Sequence, residues 1–149
     1  MQGNLASKMG VNAYHRIQKE TLSGPETEAR VLTKAALKLQ RCQENWDSDT
    51  RRTELEEAFE YNQQIWSIFQ AELTKPDHPM DKELRQNILN LSIFIEKRTY
   101  EIMAYPDPGK LTAIININNS LAAGLRRSPA TQSDHHRASK DLAAARPGT

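Results

Sequence analysis

The chain has 149 residues, a net charge of +1 and 38% hydrophobic residues. That length suits one domain, able to bury roughly two thirds of its unfolded surface without cross-links. The low apolar share means that part of the chain lies outside the core, and the near-zero charge argues against a dedicated nucleic-acid binder. The charge is uneven: the residues from Arg126 onward carry five Lys/Arg and two Asp/Glu, +3, which leaves −2 for the rest.

The single cysteine, Cys42, permits no internal disulfide, in keeping with a reducing compartment. No apolar run approaches the roughly 18 residues of a membrane span. The opening MQGNLASKMG lacks the apolar segment of a signal peptide, and Met9 is a second candidate start. The expectation is a soluble, cytoplasmic protein that makes no contact with membranes.

Residues 1–11 read as a flexible N-terminus. A short helix over 12–20 follows, with Asn12 as cap and Tyr14 and Ile17 on one side. LSGPE is a turn. Pro25 then suits a first helical turn, Glu26 and Glu28 suit the positive end of a helix dipole, and Leu32, Ala35, Ala36, Leu39 and Cys42 trace one face. A helix over 25–44 results. Another over 51–73, capped by Asp49 or Thr50, carries the stripe Leu55, Ala58, Phe59, Ile65, Trp66, Phe69 and Leu73, which Asn62 alone interrupts.

The loop TKPDHPM precedes a helix over 81–104 that is apolar on two sides. Leu84, Ile88, Leu91, Ile95 and Ile102 form one face, and Leu89, Ile93 and Tyr100 lie nearly opposite. The simpler reading places this helix at the centre of the bundle; the other covers its second face with a partner. YPDPG ends it. In LTAIININNSLAAGLRR, Ile115 and Ile117 alternate with asparagines as in a strand, while Leu111, Ile114, Ile115, Leu121 and Leu125 fit a helix with Asn118 as the exception. No second strand offers pairing, so helix is predicted, held by packing more than by propensity. Residues 128–149 have no long apolar periodicity and read as a disordered tail with one brief helical turn.

The fold class is thus all-α: a small bundle of four main helices, a short N-terminal helix and a disordered C-terminal tail. The domain spans 12–127.

Candidate chemistry is sparse. Glu56, Glu57 and Glu60 cluster on a helix, but on its polar face. Asp134, His135 and His136 form an incomplete ligand set in the tail, and Asp77 and His78 form no ligand pattern. Cys42 continues an apolar face and reads as core. Glycines are too scattered to cradle phosphate. No enzyme signature is present, and neither a metal nor a cofactor is implied. Trp66 reads as core; Trp46, in NWDSD, reads as packing across an interhelical corner.

Taken in order, NAYHRIQ (12–18), PETEARVLTKAALKL (25–39), the Asn45–Trp46 pair, LEEAFEYNQQIWSIF (55–69), LRQNILNLSIFIEKRT (84–99) and LTAIININNSLAAGLR (111–126) resemble the FlaF family of flagellar biosynthesis regulators of alphaproteobacteria. Together they cover nearly all of 12–126. The resemblance implies a small, all-helical, non-enzymatic protein that binds flagellin as a secretion chaperone or adaptor and promotes its synthesis or export. It also implies a functional link to a second regulator, FlbT. The tail has no counterpart in that pattern.

Flagellin's terminal segments become helical on packing into the filament, so before assembly they expose apolar stripes. A helical protein with a surplus apolar face can cover one by helix-in-groove docking. The expected partner surface joins Leu89, Ile93 and Tyr100 with Ile114, Ile117 and Leu121, and Asn116, Asn118 and Asn119 would set the register. The same residues can instead close the bundle. A competing function is direct RNA binding in flagellin translation, using Arg126, Arg127, Arg137 and Lys140 on phosphates. Near-neutral charge and the lack of a nucleic-acid motif weigh against it.

Overall fold

A computed structural model describes residues 2–21 and 23–127, with side chains from Gly10 onward. Those residues form five helices: α1 (Gln2–Thr21), α2 (Pro25–Glu44), α3 (Arg51–Leu73), α4 (Lys82–Ala104) and α5 (Leu111–Arg127), with a 3-10 turn at Pro108–Lys110 before α5. No strand occurs among them, as expected for an all-α chain. The predicted tail lies outside the described residues.

Local chemistry accounts for most of the boundaries. Gly24 precedes α2 at φ 135°, a backbone angle that favours glycine, and Pro25 takes the first helical position. The carboxylate of Asp81 accepts from the Leu84 backbone N–H at 3.4 Å and caps α4. Asp107 accepts from the Gly109 N–H at 2.9 Å in the turn that reverses the chain into α5.

The first helix differs from expectation. It begins at Gln2, and Asn12 lies within it rather than capping it. The stretch before Asn12 contains no proline, so nothing covalent stops the helix from extending. Val11 is exposed there, whereas Ile17 is buried and Tyr14 packs against the core. The anchored end is thus the C-terminal one, where the Thr21 hydroxyl donates to the Ile17 carbonyl at 2.6 Å.

Helices α2 and α5 make the most extensive contact and form the centre of the molecule. They run antiparallel: the Gln43 side chain, near the end of α2, donates to Thr112 Oγ1 at 2.8 Å and to the Pro108 carbonyl at 2.9 Å at the start of α5. Leu32, Leu39, Ile65, Ile102, Leu111 and Ile114 are fully buried between the helices. Burying side chains of this size stabilises by about 1.5–3 kcal/mol each before entropy is counted.

Helix α4 is not the central helix that the simpler reading of its two apolar sides predicts. It packs on α3 and, less extensively, on α5. Leu84, Ile88, Ser92, Ile95 and Ile102 face inward, and the opposite side is open. The centre is filled by α2 and α5, whose small residues Ala35, Ala36 and Ala122 let the two backbones approach.

Candidate partner-binding surface

Five of the seven large apolar side chains that stand exposed among the described residues lie on α4 or at its C-terminal cap: Ile93, Phe94, Tyr100, Met103 and Tyr105. The outermost are Tyr100, at 64%, and Tyr105, at 73%. Scattered exposed apolar residues are ordinary, but a concentration on one helix is not. Leu89, half-buried, continues the line toward the helix start.

The C-terminal half of α4 is held in place by charge. The Arg98 guanidinium lies 5.2 Å from the Phe94 ring centre, 3.5 Å from Glu101, and donates to the Lys110 carbonyl at 3.4 Å. Lys110 in turn sits 3.7 Å from Glu101, donates to the Tyr105 carbonyl at 3.0 Å and lies over the Tyr105 ring. These contacts fix the α4–α5 corner and present its aromatic rings on an ordered surface.

Between α3 and α4 the packing is incomplete. A cleft of about 170 Å³ lies between Asn62, Trp66 and Gln70 of α3 and Ser92, Glu96 and Tyr100 of α4. A cavity of similar size holds a benzene molecule, so the space suits one side chain rather than a helix. Gln70 donates to the Ser92 hydroxyl across it.

Below the cleft lies a buried polar relay. The Asn118 side-chain N–H donates to Asn62 Oδ1 at 2.6 Å, and the Trp66 ring N–H donates to Asn118 Oδ1 at 3.0 Å. The two residues that interrupt the apolar stripes of α3 and α5 therefore satisfy each other.

The expected partner residues divide accordingly. Ile93 and Tyr100 are exposed on α4, and Leu89 is half-buried beside them. Ile114, Ile117, Asn118 and Leu121 are buried within the bundle, so α5 closes the core with them. Asn116 and Asn119 are exposed on α5, but the buried residues between them leave no continuous apolar face spanning α4 and α5. Sequence reasoning missed Phe94, Met103 and Glu96. The signal for Met103 and Glu96 was present: Leu89, Ile93, Glu96, Tyr100 and Met103 recur at alternating spacings of four and three.

The other candidates take structural places. Glu56 and Glu57 stand on the exposed face of α3, where Glu56 pairs with Arg52 at 3.2 Å. Cys42 is buried. Trp46 packs at the α2–α3 corner beneath the Arg51 guanidinium, 4.8 Å from its ring centre. Among the described residues no cluster of three or more His, Cys, Asp or Glu could hold a metal, and Asp134, His135 and His136 lie outside them. None of the described helices is long and apolar enough to cross a membrane.

Compared with known families, residues 11–125 match the model of a family described as flagellar protein FlaF. No curated protein and no solved structure matches the chain. The matched span takes in most of the sequence and the four main helices almost entirely, and the chain belongs to the FlaF family of flagellar proteins.

Proposed function

We propose that this protein is a non-enzymatic flagellar biosynthesis regulator that binds flagellin as a chaperone or adaptor and promotes its synthesis or export. The observation that carries the reading is the outward apolar face of α4, where Ile93, Tyr100 and Met103 stand exposed outside the buried core. Family membership supplies the flagellar context. An unassembled flagellin helix that bares an apolar stripe matches a rigid helical surface that bares another.

The docking surface on this reading is Leu89, Ile93, Tyr100 and Met103 of α4, with Phe94 and Tyr105 at its edge. The α5 residues act from beneath, by holding α4's neighbours in place. The same reading carries the functional link to FlbT that the resemblance implies. Co-expression with flagellin and co-purification tests the proposal. A stoichiometric complex that persists at high salt is expected, because apolar burial is little screened. Failure of flagellin to co-purify at any salt concentration would remove it.

A further inference from the structure

The α4 surface has an acid at its centre. Leu89, Ile93, Tyr100 and Met103 form a seam with the alternating four-and-three spacing of a helix that packs against another helix, and Glu96 occupies the middle position. Glu96 is exposed, and it lines the cleft between α3 and α4 with Tyr100. It makes no hydrogen bond or ion pair with the described residues, and the rest of the cleft is neutral: amides, hydroxyls, Trp66 and Ile95. The cleft is thus a side-chain-sized recess with acceptors on its walls and one carboxylate.

Resting on the reading that a helix docks on α4, we propose that its occupant carries a lysine or arginine in the middle of its apolar stripe, placed in this cleft against Glu96. The amide and hydroxyl oxygens nearby can accept the remaining N–H groups of a cation, and the Tyr100 ring can cover its alkyl stem.

The same geometry argues against a second copy of this chain. The seam is symmetric about Glu96, with Leu89 and Met103 seven residues to either side and Ile93 and Tyr100 near its centre. Both an antiparallel and an in-register parallel pairing therefore set Glu96 against its own copy. Lys97 projects about 100° around the helix from Glu96, to the side of the seam away from the cleft. A like-charge pair inside a partly desolvated seam selects against self-association, as polar residues at such positions do in coiled coils.

The test uses the full-length protein and three designed peptides of three heptads, leucine at every seam position except the central one, which is lysine, glutamine or glutamate. The lysine peptide is expected to bind at least tenfold tighter than the glutamate peptide, with glutamine between them. Glu96→Lys should invert that order while leaving the circular dichroism spectrum unchanged. Equal affinities, no binding by any peptide, or an order that Glu96→Lys leaves in place would overturn the inference. Flagellin is absent from this panel, so the outcome is separate from whether flagellin is the partner. In sedimentation, the wild-type chain should be a monomer and Glu96→Leu should self-associate. A wild-type dimer that Ile93→Asp dissociates would also overturn it.

Discussion

Asn118 of α5 donates its side-chain amide to Asn62 of α3 at 2.6 Å, at a point in the core where neither residue is more than 1% exposed. The Asn118 oxygen accepts from the Trp66 ring at 3.0 Å, so three polar groups that would each be costly in an apolar core are paired. The relay pins α5 to α3 in one register, because sliding either helix by one residue unpairs all three. Replacing Asn118 by alanine should destabilise by about 2–4 kcal/mol, from two unpaired groups and a small cavity. In urea titrations of Asn62→Ala, Asn118→Ala and the double variant, the two single losses added together should exceed the loss of the double variant by about 0.5–3 kcal/mol. Strict additivity would mean that the two amides do not act together.

The α4 surface and the core should separate cleanly by mutation. Ile65 is fully buried, and Ile65→Ala should cost about 2–5 kcal/mol. Ile93 is 48% exposed, and Ile93→Ala should change stability by no more than about 0.5 kcal/mol. Thermal or chemical unfolding of the two variants checks this. A large loss at Ile93 would place it in the core and withdraw it from the surface.

Stability should fall as pH rises through the range that Glu28 titrates. Burial, and secondarily the nearby Glu72, pushes the Glu28 carboxyl up from 4.5 to about 7. Its place in the first turn of α2 acts the other way, since a helix N-terminus favours an anion, but burial outweighs it. The folded state therefore holds the Glu28 proton more tightly than the unfolded chain does. That contribution is fully present below about pH 4.5 and is lost as pH rises through about 7. Glu28→Gln keeps a neutral side chain, so it should match the wild type near pH 4 and exceed it at pH 8 by about 1–3 kcal/mol. Paired unfolding curves at the two pH values check the sign.

Helix α5 should be a permanent part of the bundle. Ile114, Ile117, Asn118 and Leu121 are buried in a helix that packs chiefly on α2, and the Asn118 relay fastens its middle to α3. Hydrogen exchange of the free protein should show amides 114–121 among the most protected, opening only with global unfolding. Fast exchange there would mean that α5 is held loosely enough to trade places with a partner helix.

The helices from Pro25 onward were legible because each carries an apolar stripe at helical spacing and most are bounded by a chemical break. Pro25, the break after Glu44, the prolines Pro76 and Pro79, and Pro106 and Pro108 leave little freedom in where they begin and end. The start of α1 was not legible, since an exposed extension has no apolar stripe to reveal it. Asn62 and Asn118 were visible as flaws in two stripes, but their pairing spans 56 residues and depends on how the helices stack. For the same reason, two apolar sides on α4 fitted a central helix as well as an edge one. Of the residues expected on a partner surface, Leu89, Ile93 and Tyr100 lie on the outward side of α4. Ile114, Ile117 and Leu121 were apolar because α5 fills the centre.

Flagellin binding to the surface of α4 is measured on Ile93→Asp and Tyr100→Asp variants by calorimetry, with circular dichroism and thermal unfolding recorded on the same samples. If flagellin docks on α4, both variants stay folded, melt within a few degrees of the wild type, and lose at least tenfold in affinity for flagellin. Folded variants that bind flagellin as tightly as the wild type would contradict it, and would move the site off α4.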